Sequence, residues 1–173
     1  MEQKFNIILI GMPGSGKSTV GVILAKMMTR PYLDTDILIQ LVTKCSLQDI
    51  VDSKGHMALR KIEEDVLLDI SCQNHIIATG GSAAYSEPAM MHLKQNGLIV
   101  FLDADLDTLK SRIKNYETRG LAKRPDQSFM DLFNERHELY NKYADITIPS
   151  HDSSQEEVAE MIIAKSLLYN PVD

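Results

Sequence analysis

No apolar run in this 173-residue chain approaches the length of about 18 residues that a membrane helix needs. The most apolar stretch near the start, Phe5 to Ile10, contains Asn6 and runs straight into glycines, so it does not read as a targeting segment. Cysteine is equally sparse. Cys45 and Cys72 form no CxxC pair and no zinc set, and are expected to be reduced. A basic surplus is missing too, since 18 Lys and Arg stand against 24 Asp and Glu, a net charge of −6. That balance argues against a general nucleic-acid binder. The five histidines show no metal-site spacing, and repeats, low-complexity tracts and linkers are not apparent. The expectation is a single cytoplasmic domain spanning 1–173, a monomer without membrane or nucleic-acid partners.

What is present is concentrated in one octapeptide, Gly11-Met-Pro-Gly-Ser-Gly-Lys-Ser18. It fits the phosphate-binding pattern G-x-x-x-x-G-K-[ST], between a strand-like run and a helical pattern carrying Val20, Ile23, Leu24 and Met27. Glycines there let backbone N–H groups of Gly14, Ser15, Gly16 and Thr19 wrap phosphate oxygens, with the helix's positive end behind them. Lys17 is the candidate for the β/γ oxygens and Ser18 for Mg²⁺. The bound molecule is therefore expected to be a nucleoside triphosphate.

Strand-like runs recur at 5–10, 32–33, 76–78, 98–102 and 146–148, with helical patterns between them. One carries Leu59, Ile62, Val66 and Ile70; a weaker one carries Val158, Ile162 and Leu167. Such alternation predicts an α/β fold, a parallel sheet covered on both faces, with ligands at the carboxyl ends of the strands.

The residues after those strands fit this reading. Asp34-Thr-Asp36 follows the second. In an extended segment the two carboxylates point the same way, Asp34 towards the Mg²⁺ water shell and Asp36 towards a substrate hydroxyl. The alternative is that one of them caps the next helix. Thr79-Gly80-Gly81-Ser82 follows the third strand, where paired glycines admit a ligand or simply make a turn. Asp103 ends the fourth and rivals Asp34 for the metal, although Asp103 and Asp105 both read better as helix caps. From Lys110 to Arg124 there are six basic residues and one acidic, Glu117. That run reads as a mobile lid over the polyphosphate, or else as a solvated helix face. Arg60 and Arg136 each have neighbouring carboxylates on their own helices, so surface ion pairs would account for both.

In order and spacing this set resembles the shikimate kinase family. It comprises Gly11–Ser18, Asp34-x-Asp36, Arg60 with Glu63, Thr79-Gly80-Gly81, Arg124-Pro125, and Arg136-x-x-x-Tyr140 followed by Ala144-Asp145. The resemblance runs over essentially the whole chain. It implies a three-layer α/β/α P-loop kinase with a five-stranded sheet of order 2-3-1-4-5, a substrate-binding helical segment at about 35–62 and a lid at about 113–127. It also implies phosphoryl transfer from ATP, with Mg²⁺, to the 3-hydroxyl of shikimate. Asp36 would hold that hydroxyl and act as its base. Arg60, Arg136 and the Gly81 backbone would hold the acceptor's carboxylate, with Gly80 in the same substrate-binding set. Arg124 would be the lid arginine, Arg112 the neighbour of adenine, and Ser18 with Asp34 the metal ligands.

Several positions depart from the family pattern. Ser82 replaces a third glycine, Gly55-His56 replaces Gly-Glu, Leu59 replaces an aromatic, and Asp126-Gln127 follows the lid arginine in place of leucines. The lid is longer, and an adenine-side residue near Ser153 is missing. These changes cluster around the acceptor, which makes a related kinase of homoserine or gluconate the alternative. A GTPase fits poorly, because Asn141-Lys142 misses the guanine pattern by one residue. An inactive relic fits poorly because Lys17, Ser18, Asp36 and Arg124 are intact.

Overall fold

The computed structural model describes residues 5–113 and 121–169. In chain order the elements are β1 (Asn6–Ile10), α1 (Lys17–Met28), β2 (Tyr32–Asp34), α2 (Thr35–Thr43), α3 (Leu47–Lys54), α4 (His56–Leu68) and β3 (Ile76–Ala78). A 3-10 turn (Ala83–Tyr85) leads to α5 (Glu87–Gln95), β4 (Gly97–Asp103), α6 (Leu106–Arg112), α7 (Phe129–Tyr143), β5 (Ile146–Pro149) and α8 (Gln155–Ser166).

Strand β1 lies at the centre of the sheet, parallel to β3 on one side and β4 on the other, with Leu9 opposite both Ala78 and Val100. The order is β2-β3-β1-β4-β5 and every pairing is parallel. A central strand covered on both faces has no polar side, and β1 is buried along its whole length. Alternate residues divide between two cores. Ile8, Ile10, Ile77, Ile99 and Phe101 pack beneath α5, α7 and the end of α4. Ile7, Leu9, Leu98, Val100 and Leu102 pack beneath α1 and α8. This is the expected three-layer α/β/α arrangement.

Helix boundaries follow their caps. Ser46, Ser128 and Ser154 each open a helix through a capping box, with Asp49, Asp131 and Glu157 in the reciprocal position. A third, smaller core of Ile39, Ile50, Leu59 and Ala122 ties α2, α3 and α4 together beside the main body. Among the described residues, no helix is long and apolar enough to cross a membrane. Residues 114–120 of the expected lid lie outside the described residues.

Three expectations need correction. The extended segment ends at Asp34, whose side chain accepts from the N–H of Asp36 and Ile37 and so starts α2. Asp36 therefore sits in a helical first turn, and strand alternation does not align the two carboxylates. Met27 and Leu167 are largely exposed, and the buried faces of α1 and α8 centre on Val20 and Leu24, and on Val158 and Ile162. On α4 the fully buried ridge is Leu59, Glu63 and Leu67, spaced four apart; Ile62 and Val66 are only half-buried.

Candidate active site

A cavity of about 420 Å³ opens at the carboxyl ends of the strands, with the glycine-rich loop at one end and the third-strand glycines at the other. Gly16 is the N-cap of helix α1, its φ of 100° suits glycine, and no side chain caps the first turn. Its first amides thus remain available to an anion, and the helix dipole adds partial positive charge there. Gly14, Gly16, Lys17, Ser18 and Thr19 all line the cavity. Ser15 does not; it turns inward, fully buried, and its N–H bonds the Met12 carbonyl. Lys17 Nζ donates to the carbonyls of Gly11 (2.8 Å) and Met12 (2.9 Å). Burial lowers the Lys17 pKa to about 8, with Asp36 pulling in the opposite direction. A phosphate would restore a fuller positive charge.

Ser18 Oγ donates to Asp34 Oδ2 at 2.8 Å, and the Tyr32 hydroxyl donates to the same oxygen at 3.0 Å. Asp34 thus both caps α2 through Oδ1 and faces the loop serine through Oδ2. Among the described residues there is no cluster of three or more His, Cys, Asp or Glu suited to a metal. Two hard oxygens without an all-protein cage fit Mg²⁺, which keeps several waters and binds mainly through substrate phosphates. Asp103 lies elsewhere: it pairs with His137 Nε2 at 3.3 Å, whereas Asp105 is the cap of α6. Capping thus accounts for Asp105 and not for Asp103.

Arg112 extends from α6 to the carbonyls of Gly14 (3.4 Å) and Ser150 (3.0 Å), closing one side of the donor end. Gln155, the first residue of α8, also lines the cavity and lies against Gly16, its Oε1 buried without a partner among the described residues.

At the other end Gly80 and Gly81 are required for close approach. A Cβ on Gly80 would run into Glu63 Oε1 and come within 2.8 Å of Asp36 Oδ1, and one on Gly81 would lie 2.8 Å from Arg136 Nη1. Arg136 is 1% exposed, far from the surface ion pair its own helix allowed. Its Nη2 donates to the Ala122 carbonyl at 3.0 Å, and Arg60 Nη2 reaches the same oxygen at 3.1 Å. The Arg60 guanidinium also lies over the Tyr85 ring, 3.5 Å from its centroid, a cation–π contact that helps hold this half-buried arginine. Two guanidiniums from different helices thus converge on one acceptor oxygen. Tyr140 secures this corner through its hydroxyl, which donates to the Gly81 carbonyl at 2.5 Å.

Arg124 is outside the cavity wall. It sits 3.5 Å from Glu135, which also accepts from Gln127 (3.0 Å) and from the Tyr85 hydroxyl. The buried Gln127 in turn accepts from the Arg124 N–H at 3.4 Å.

Sequence reasoning missed the burial of Glu63. Its carboxylate is 3% exposed, accepts from Ser82 Oγ through Oε2, and has no partner on Oε1 among the described residues. Burial raises its pKa from an ordinary 4.5 to about 7, with Ser82, Arg136 and Lys17 opposing and Asp36 reinforcing the rise. The folded state then holds a proton that the unfolded state has released between those two values. Stability from this site is full below about pH 4.5 and is lost as pH rises through 7. Glu63→Gln should match the wild-type melting temperature near pH 4.5 and exceed it by roughly 7–14 °C at pH 8. Thermal melts across that range check this, and parallel curves would show that Glu63 ionises normally.

Comparison with known proteins bears directly on this geometry. Residues 13–166 match the family model described as shikimate kinase, a span that includes the whole cavity wall from Pro13 to Gln155. The chain is 40% identical to a shikimate kinase of Rippkaea orientalis, covering 98% of this chain and 92% of that one. Identity to the Aquifex aeolicus shikimate kinase is 36%, with 91% and 94% covered. Among solved structures, the shikimate kinase of Acinetobacter baumannii in complex with shikimate superposes with a TM-score of 0.90 at 30% identity, over 99% of this chain and 97% of that one. With sheet order, phosphate loop and cavity wall all inside the matched span, the chain belongs to the shikimate kinase family.

Proposed function

We propose that this protein transfers the γ-phosphoryl group of ATP to the 3-hydroxyl of shikimate, a step of aromatic amino acid biosynthesis. The observation that carries the reading is one continuous cavity. Lys17, Ser18 and Thr19 stand at its donor end, and Asp36, Gly81 and Arg136 at its acceptor end.

The loop residues Gly14, Gly16 and Thr19 cradle the polyphosphate, and Lys17 moves from the loop carbonyls onto the β/γ oxygens. Arg112 flanks the adenine. Asp36 holds the accepting hydroxyl and takes its proton as the new O–P bond forms. Arg136, Arg60 and the Gly80-Gly81 backbone hold the carboxylate; the oxygen both arginines already share at Ala122 supports this, since a carboxylate oxygen offers the same acceptor. Arg124 reaches the phosphates on leaving Glu135. Ser18 and Asp34 would hold Mg²⁺, which when bound neutralises charge on the phosphates. The α2–α3 unit and first half of α4, about 35–62, form the acceptor side, and residues about 113–127 the lid. The reading includes a monomeric, cytoplasmic enzyme acting on a small molecule alone; a net charge of −6 supports the absence of a nucleic-acid partner.

A coupled ADP-release assay over shikimate, homoserine, gluconate and nucleoside monophosphates tests the assignment. Turnover should depend on shikimate. Strong turnover of another acceptor, with none on shikimate, would overturn it.

A further inference from the structure

Ser82 and Glu63 form a buried pair at the acceptor end that the proposed chemistry leaves without a task. Both line the cavity and both are more than nine-tenths buried. The Ser82 hydroxyl takes up only one carboxylate oxygen, Oε2. The other, Oε1, lies against Gly80 beside Asp36 Oδ1 and has no partner among the described residues. A buried acceptor without a donor is costly, and it is retained where a ligand supplies the donor. The Ser82 backbone, with φ −99° and ψ 1°, is open to any residue, so the serine is not there to satisfy the chain path.

We propose that Ser82 is a positioning residue: its hydroxyl fixes the Glu63 carboxylate by one oxygen and leaves the other to accept from a second hydroxyl of the substrate, next to the one held by Asp36. This rests on the reading of the acceptor as a polyhydroxylated acid. A glycine at position 82 would leave Glu63 without this donor. The charges around the carboxylate are Asp36 from α2, Lys17 from α1 and Arg136 from α7. A hydroxyl donor favours the ionised form, so Ser82 works with the two cations and against Asp36.

Ser82→Ala removes the donor and little else. The shikimate KM should rise about tenfold while the ATP KM stays within about twofold, and Ser82→Thr should restore it. In the Glu63→Gln background the same change should add almost nothing, whereas an undiminished tenfold effect would mean that Ser82 meets the substrate directly. A second readout needs no acceptor. The Glu63 carboxyl, followed by ¹³C NMR, should titrate about one pH unit higher in Ser82→Ala than in the wild type. An unchanged midpoint would overturn the Ser82 assignment and leave the kinase reading intact. A wild-type chain inert towards shikimate would overturn the kinase reading, and the titration would then decide the Ser82–Glu63 pair by itself.

Discussion

Asp36→Asn is expected to lower kcat by roughly 10²–10⁴-fold while ATP still binds, the range over which a positioned general base contributes. Asparagine keeps the size of the side chain and its place in the first turn of α2. The turn itself is held by backbone contacts the substitution spares: the Asp36 N–H donates to Asp34 Oδ1 at 3.0 Å, and Gln40 Nε2 donates to the Asp36 carbonyl at 3.2 Å. What disappears is the negative charge beside Gly80 and the capacity to take a proton. One secondary effect has a definite sign. Asp36 raises the pKa of Lys17 against the lowering effect of burial, so its removal lets Lys17 lose its proton below about pH 8. ATP affinity should therefore be compared at about pH 6.5, where the lysine remains charged in both proteins. Nucleotide titration and single-turnover kinetics together decide the matter. A variant that retains kcat within about threefold would remove Asp36 from the proton transfer, and a parallel collapse of ATP binding would show a damaged loop.

The donor end was legible in the sequence because its parts are contiguous. Strand, glycine turn, lysine and serine fall within thirteen residues of each other from Asn6 to Ser18, and local backbone requirements dictate each one. The order of the sheet was legible only through the family resemblance, since periodicity yields five strands and no arrangement. The acceptor end was harder to read because its contacts are long-range. Glu63 looks like a surface residue of an amphipathic helix, and what makes it a core residue is Ser82, nineteen positions away. Arg136 has acidic neighbours on its own helix, yet its contacts come from Ala122 and the Gly81 corner. Apolar periodicity cannot register a buried carboxylate or a buried guanidinium. It assigned α4 to Leu59, Ile62, Val66 and Ile70, when the buried ridge runs through Glu63. The Asp34–Asp36 pair failed for another reason: an aspartate at a strand end can terminate the strand by capping, and Asp34 does so while still facing Ser18.

The contrast between Arg136 and Arg60 supplies the second large effect. Both donate to the Ala122 carbonyl at nearly equal distance, so geometry alone gives them equal claims on a carboxylate. Burial separates them. Nε is unpartnered in both among the described residues, but Arg136 is enclosed and lies where a Gly81 side chain would be. Arg60 is half-buried and rests on the face of Tyr85, so part of its anchorage comes from the ring rather than from the ligand. Removing one partner of a desolvated charge pair costs about 2–5 kcal/mol, and a more solvated contact costs less. Arg136→Met, chosen to keep the volume, should therefore raise the shikimate KM by roughly 10²–10³-fold, and Arg60→Ala by roughly tenfold, with the ATP KM little changed in either. The Met variant also leaves Glu63 facing one cation fewer, which moves the Glu63 titration upward and the acid limb of kcat/KM with it. Melting curves confirm that each variant is folded before kinetics are compared. Equal effects from the two substitutions would mean that lid contact through Ala122, rather than depth of burial, decides how the acid is held. An unchanged KM in Arg136→Met would remove the carboxylate from this corner altogether.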